Sequence, residues 1–380
     1  MPDPLPNLRA VFCEALDRTT PEERRAYLDE VCRDRPEVRG RVEALLLAHA
    51  LFAGDGKAQE ARKAIIARSK VWLPTDVTSK DLKTGPTGLG SFPPGMPVTC
   101  TYVDKKLKGA TPKFLCRTTG GVELKVKYGG TNGEVYGEVA ATRLLWALGF
   151  GADREYSVRL ICRGCPRGLA TSRTDAGDQI FDPAAVEQKL TPDELSDQWS
   201  WAELDQIDES AGGATRAERD AFKLLAVLIQ HSDSKAVQQR IVCVERSGED
   251  GRCSTPLMMI NDLGLTFGRS DLRNRDPQAV VNFTEWTKVP VWKNATGCVG
   301  NLAGSFSGTL KDPVIGEAGR QFLADLLMQL SDQQIHDLFE AARVNLRPRL
   351  PGSGRSDYPT VDEWAAAFKA KRDQIANRRC

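Results

Sequence analysis

Residues 221–264 string together apolar and polar blocks in an order that few folds accommodate. Residues 221–230 (AFKLLAVLIQ) form an apolar run long enough for a buried helix. Residues 231–238 (HSDSKAVQ) are polar and aperiodic. Residues 240–245 (RIVCVE) are rich in β-branched side chains, 247–252 (SGEDGR) is a turn cluster, and 254–260 (STPLMMI) is apolar again. These three segments predict a hairpin. Asp262-Leu263-Gly264 follows at once.

Buried helix, polar loop, hairpin and second acidic loop together suit phosphoryl transfer. That reaction asks for positioned charge: one carboxylate to orient the acceptor hydroxyl, another to hold magnesium on the phosphates, and cations on the γ-phosphate. Asp233 fits the first role and Asp262 the second. Lys235 is placed to reach the transferring phosphate, and Gln238 lies five residues after Asp233.

The polar stretch resembles the protein-kinase catalytic loop His-Arg-Asp-x-Lys-x-x-Asn, with Ser232 for Arg and Gln238 for the metal-binding Asn. Asp262-Leu263-Gly264 resembles Asp-Phe-Gly. The upstream half is similar to atypical kinases, above all the HipA-type toxin kinases. Its matching segments are Gly109-Ala110-Thr111-Pro112-Lys113, Leu124-Lys125-Val126-Lys127, and Glu138 ahead of Ala147-Leu148-Gly149. The resemblance spans roughly residues 100–270 and lies in motif order. It implies an α+β, bilobal protein-kinase-like fold, with a small antiparallel-sheet N-lobe and a mostly helical C-lobe. It also implies ATP and Mg²⁺ as cofactors, with Asp262 and Gln238 on the metal and Asp233 and Lys235 catalytic. Lys125, paired with Glu138, would hold the α/β-phosphates. Lys125 is favoured because Lys-x-Lys occurs in some lipid-kinase relatives, with Lys127 as the alternative. Gly109 and Lys113 would form the phosphate-facing loop, and the acceptor would be a protein Ser or Thr. Because Gln238 replaces the Asn, a pseudokinase acting as a nucleotide-binding or scaffold module is the second reading. Another transfer chemistry on the same fold, such as AMPylation, is the third.

The local patterns agree with this order. Residues 99–102, 113–117 and 122–128 read as strands, and alternation puts Lys125 and Lys127 on one face. Residues 134–148 (EVYGEVAATRLLWAL) read as a helix ended by Gly149. Glu134 is the alternative to Glu138. Residues 158–162 read as a further strand leading into Cys162-Arg163-Gly164-Cys165, half a zinc knuckle. Cys243 and Cys253 lie about the hairpin turn, so these four cysteines are a candidate structural Zn²⁺ site; buried thiols are the plainer expectation. His231 reads as a residue that buttresses the loop by hydrogen bonds rather than a base.

At 380 residues, with 52 basic and 51 acidic side chains, the chain has ample core and no charge excess announcing nucleic acid or a membrane surface. No leader or spanning segment is visible, so the expected location is cytoplasmic, where the ten cysteines would stay reduced. A helical N-terminal domain covers 1–73, with a helix starting at Thr20-Pro21 and others over 36–50 and 57–72. Through Pro-Glu-Glu-Arg at 21–24, Asp-Glu-Val-Cys at 29–32 and Val-Glu-Ala-Leu-Leu at 42–46, residues 7–50 resemble the short helical segment beside the catalytic domain of many bacterial Ser/Thr kinases. An extended Pro/Gly-rich linker follows over 74–97, then the N-lobe at 98–160 and the C-lobe at 161–380. The C-lobe carries a polar insertion around 166–215, in which Trp199 and Trp201 read as packing anchors. A charged segment at 269–276 and late helices close the chain.

Overall fold

A computed structural model describes the chain outside residues 1–10, 12–13, 16–20, 34, 89, 108, 110, 131, 171, 189–192, 248–251, 269–281, 303–307 and 348–358. It describes the backbone alone at 21–23, 44–45 and 47–58. The expected helix start at Thr20, the hairpin tip and the charged segment 269–276 therefore lie outside the described residues.

The chain divides into two compact units, Met1–Ile65 and Ile66–Cys380. In the first, α1 (Pro21–Val31) and α2 (Pro36–Ala67) surround a small core of Val11, Ala15, Leu28, Cys32 and Val42. The two helices expected over 36–50 and 57–72 are one continuous helix, which runs through Gly54 and Gly56.

The second unit is a mixed α/β body. Strands β1 (Met96–Val103), β2 (Lys113–Thr118) and β3 (Glu123–Tyr128) form an antiparallel meander. Helix α3 (Glu134–Leu148) leads to β4 (Arg154–Arg163), which pairs parallel to β1. After the short β5 (Ser172–Arg173), β6 (Gln179–Gln188) pairs antiparallel with both β4 and β3. The sheet therefore closes on itself. The expected small antiparallel sheet is a five-stranded barrel with one parallel seam, and residues 179–188 of the supposed polar insertion are the strand that closes it. Its interior obeys the two-residue period of strands: Phe114 and Cys116, Leu124 and Val126, Tyr156, Val158 and Leu160, and Ala184 and Val186 all point into one core. Alternate residues face outward, where α3 covers the barrel.

Strand β7 (Glu194–Ser196) pairs with β8 (Gln239–Ser247), which forms the expected hairpin with β9 (Arg252–Ile260). Between β7 and β8 runs α4 (Arg216–Leu228), started by a Thr215/Glu218 capping box and buried from Asp220 to Leu228. Trp199 and Trp201 are packing anchors: both are buried, and Trp199 Nε1 donates to the carbonyls of Arg240 and Met259. The short α5 (Phe283–Lys288) is followed by α6 (Glu317–Met328), α7 (Asp332–Ala341) and α8 (Val361–Ala376). Of these, α5, α7 and α8 meet around Trp286, Phe339 and Trp364. The segment expected as an extended linker is irregular but packed. Val77 and Leu82 are fully buried, and Arg143 and Gln334 donate to its carbonyls.

The cysteines overturn two expectations. Cys162 bonds Cys165 and Cys243 bonds Cys253, so their sulfurs have no lone thiolate for Zn²⁺. Cys100–Cys116 and Cys298–Cys380 are likewise bridged, and among the described cysteines only Cys32 is a buried thiol. Among the described residues, no helix is long and apolar enough to cross a membrane.

Candidate active site

The centre of the site is Lys127, on the outer face of β3 beneath α3. It is 1% exposed and forms a close ion pair with Glu138 of α3. Its Nζ also lies 3.2 Å from Glu134 Oε2 and 3.7 Å from Asp262 Oδ1. Burial alone would depress the ammonium, but Asp262, Glu138 and Glu134 outweigh it and hold Lys127 well above its ordinary pKa. Lys125 shares the face, as alternation requires, but lies one row away and pairs with Glu187 of β6. The lysine that meets the helix glutamate is thus Lys127, the alternative, and not Lys125. The reason is where α3 crosses the barrel: Glu138 falls over the 127 row. Lys113 sits opposite Lys127 across the β2–β3 ladder, and burial together with its lysine neighbour lowers its pKa. Gly109 has φ +98°, a backbone conformation that glycine adopts without strain, and its Cα lies close over the mobile end of Lys113.

Asp262 enters the same cluster from the loop after β9. Burial pushes its carboxyl up, but Lys127, Lys125 and the Gly264 N–H more than reverse this and hold it at about 2. The loop is fixed by two backbone donors. Gly264 N–H donates to Asp262 Oδ1 at 3.1 Å, and Leu263 N–H donates to Glu138 Oε1 at 3.3 Å. Glu138 thus bridges the strand lysine and the acidic loop. Gly264 lies close against Glu134: a Cβ would meet the end of that side chain at 2.7–2.8 Å, so a larger residue would push the carboxylate aside.

Asp233 lies in the polar loop after α4. Lys235 Nζ approaches its carboxylate to 2.8 Å, and Gln238 Nε2 donates to Asp233 Oδ2 at 2.9 Å. The two acidic loops are stitched together on both sides. Ser232 N–H donates to the Leu265 carbonyl at 3.1 Å, and Asn261 N–H donates to the Gln238 carbonyl at 2.9 Å. Ser234 anchors the loop further, its carbonyl accepting from Thr309 and its hydroxyl from Leu310 N–H. His231 is fully buried beneath the loop, and its ring nitrogens have no hydrogen-bond partner. Burial lowers it to about 4 against the pull of Asp233 and Asp262, so it packs as a neutral ring.

Beside these groups opens a cavity of about 680 Å³, lined by Lys105, Lys125, Glu187, Gln188, Glu194 and Asn261 among others. Volumes of this size accommodate small-molecule cofactors. The residues fit a divalent cation at Asp262: an ionised oxygen donor, with Glu134 and Glu138 oxygens within 4.8 Å. Gln238 fits less directly, since its amide nitrogen is engaged by Asp233.

Sequence reasoning missed Glu155 and Glu187. Glu155 of β4 is 3% exposed, with both oxygens unpartnered, and burial, reinforced by Glu138, raises it well above the carboxylate range. Strand parity alone would have placed both glutamates on the outer face of the lysines, but only once 179–188 is read as a strand.

No family model and no curated protein matches the chain. Among solved structures it is similar to the Helicobacter pylori proinflammatory kinase CtkA, at 11% identity and a TM-score of 0.41, over 75% of this chain and 95% of that one. It is also similar to the Golgi casein kinase with Mn/ADP bound, at 12% identity and a TM-score of 0.33, over 74% of this chain and 73% of that one.

Proposed function

We propose that the chain is an ATP- and Mg²⁺-dependent phosphotransferase of atypical kinase type acting on protein Ser or Thr. The observation that carries this is the convergence of a buried strand lysine, a helix glutamate and a loop aspartate. Lys127, Glu138 and Asp262 share one contact network, and a second carboxylate, Asp233, lies on a loop hydrogen-bonded to the first. When bound, magnesium would supply charge neutralisation on the phosphates, held by Asp262. Lys127, oriented by Glu138, binds phosphate oxygens from the barrel side, with Lys113 and the Gly109 loop beside it. Asp233 orients the acceptor hydroxyl and takes its proton, and Lys235 offers charge to the transferring group.

The test is label transfer from γ-labelled ATP with magnesium. Asp262→Asn is expected to lower transfer by about 10²–10³-fold or to background. Equal label on both proteins would sink the assignment.

The Gln238–Asp233 hydrogen bond favours one other reading, a pseudokinase in which the amide ties up the carboxylate that should face the acceptor. For a working enzyme, Gln238→Asn leaves turnover within about threefold or lowers it, whereas a rise of about tenfold or more would mark the wild type as a pseudokinase.

A further inference from the structure

Three carboxylates converge beside the site from three different elements: Glu138 from α3, Glu155 from β4 and Glu187 from β6. Their oxygens lie within 4.8 Å of one another, and all three residues are buried. Glu155 and Glu187 are direct cross-strand partners, and Lys125 continues the same row on β3. The lysines of the region are already engaged, Lys127 by Glu138 and Glu134, Lys125 by Glu187. Among the described residues Glu155, alone of the three, has both oxygens buried with no hydrogen-bond partner. A buried carboxylate is retained when it is paired, protonated or bound to metal. Carboxyl groups outnumber lysines here, with Glu134, Glu138, Glu155, Glu187 and Asp262 around Lys113, Lys125 and Lys127. A divalent cation would give Glu155 the partner that these lysines do not.

We propose that Glu138, Glu155 and Glu187 hold a divalent cation of the magnesium or manganese class, at a site that shares Glu138 with the Asp262 cluster but does not use Asp262. The donors are all carboxylate oxygens, which suit a hard cation and disfavour ions that seek nitrogen or sulfur. Glu187 and Lys125 line the 680 Å³ cavity, so an ion reaches the cluster without the barrel opening. The site needs no nucleotide, and so stands or falls independently of the transferase reading.

The experiment is Mn²⁺ titration of the nucleotide-free full chain, followed by calorimetry and by thermal melting. Wild type is expected to bind Mn²⁺ and to melt at higher temperature with it. Glu155→Gln, which keeps the shape and removes the charge, is expected to weaken binding by about tenfold or more. Glu187→Gln should do the same, which guards against a folding defect in one variant, and circular dichroism checks both. Asp262→Asn should retain the binding. The proposal is overturned if wild type binds no Mn²⁺ or Mg²⁺ at millimolar concentrations, which would make Glu155 a buried neutral acid. It is equally overturned if Asp262→Asn abolishes the binding while Glu155→Gln leaves it intact.

Discussion

Replacing Lys127 with methionine is expected to cost about 3–5 kcal/mol of stability and to abolish phosphoryl transfer. The two effects have different origins. The stability loss comes from leaving Glu138 charged, 1% exposed and without its cation, while Glu134 and Asp262 face one another with the intervening ammonium gone. The loss of transfer comes from removing the group that would meet the phosphates. The double variant Lys127→Met with Glu138→Leu separates them. Removing both charges should restore most of the stability, less the hydrogen bond from Leu263 N–H, because a buried ion pair often contributes little beyond an apolar pair of similar volume. Transfer should stay absent. Urea unfolding and label transfer on the three proteins measure both. A Lys127→Met variant within about 1 kcal/mol of wild type would show that the pair is solvated, and would remove the physical basis for the site.

Opening the Cys298–Cys380 bridge is expected to cost about 4–5 kcal/mol, because it closes a loop of 82 residues that contains α6, α7 and α8. Cys380→Ser and a reducing buffer should shift the denaturant midpoint in the same direction, and their effects should not add. Cys100–Cys116, with a separation of 16, should contribute less, about 3 kcal/mol. Such bridges persist in oxidising surroundings. Thiol counting on the native protein is the decisive companion measurement: ten titratable thiols after unfolding without reductant, out of ten cysteines, would return all of them to the reduced state.

Local signals carried far in this chain. The apolar run ending at Gln230, the β-branched segments and Asp262 follow one another in the structure in the order their periodicity predicts, as helix, loop, hairpin and loop. Helix α3 was legible from its apolar face and from Gly149, which caps it at φ 87°. The choice between Lys125 and Lys127 was not legible. Both obey the same strand alternation, and only the crossing of α3 over the barrel, a contact distant in sequence, separates them. Barrel closure was hidden for a related reason. Residues 179–188 (QIFDPAAVEQ) carry a proline, two acids and two glutamines, a composition that reads as loop until β3 and β4 are in place on either side of it. The disulfides escaped because connectivity is a property of the folded chain. Cys243 and Cys253 were seen to face each other across a hairpin, yet facing sulfurs are equally good as thiols, ligands or a bridge.

The closed barrel would also limit how an acceptor protein of the proposed transferase could dock. An open sheet offers a row of free amides and carbonyls along its border, and an extended peptide can attach there as one more strand. Here β3 and β6 already hydrogen-bond to each other, and the short β5, of two residues, takes up the remaining side of β6. Among the described residues the barrel has no border long enough to template a partner. If the proposed transferase acts on a protein, the acceptor segment would therefore be recognised by side chains around the mouth of the site or by the β7–β9 sheet. Its sequence preference would then lie in charge and shape near the modified hydroxyl, with main-chain pairing contributing little.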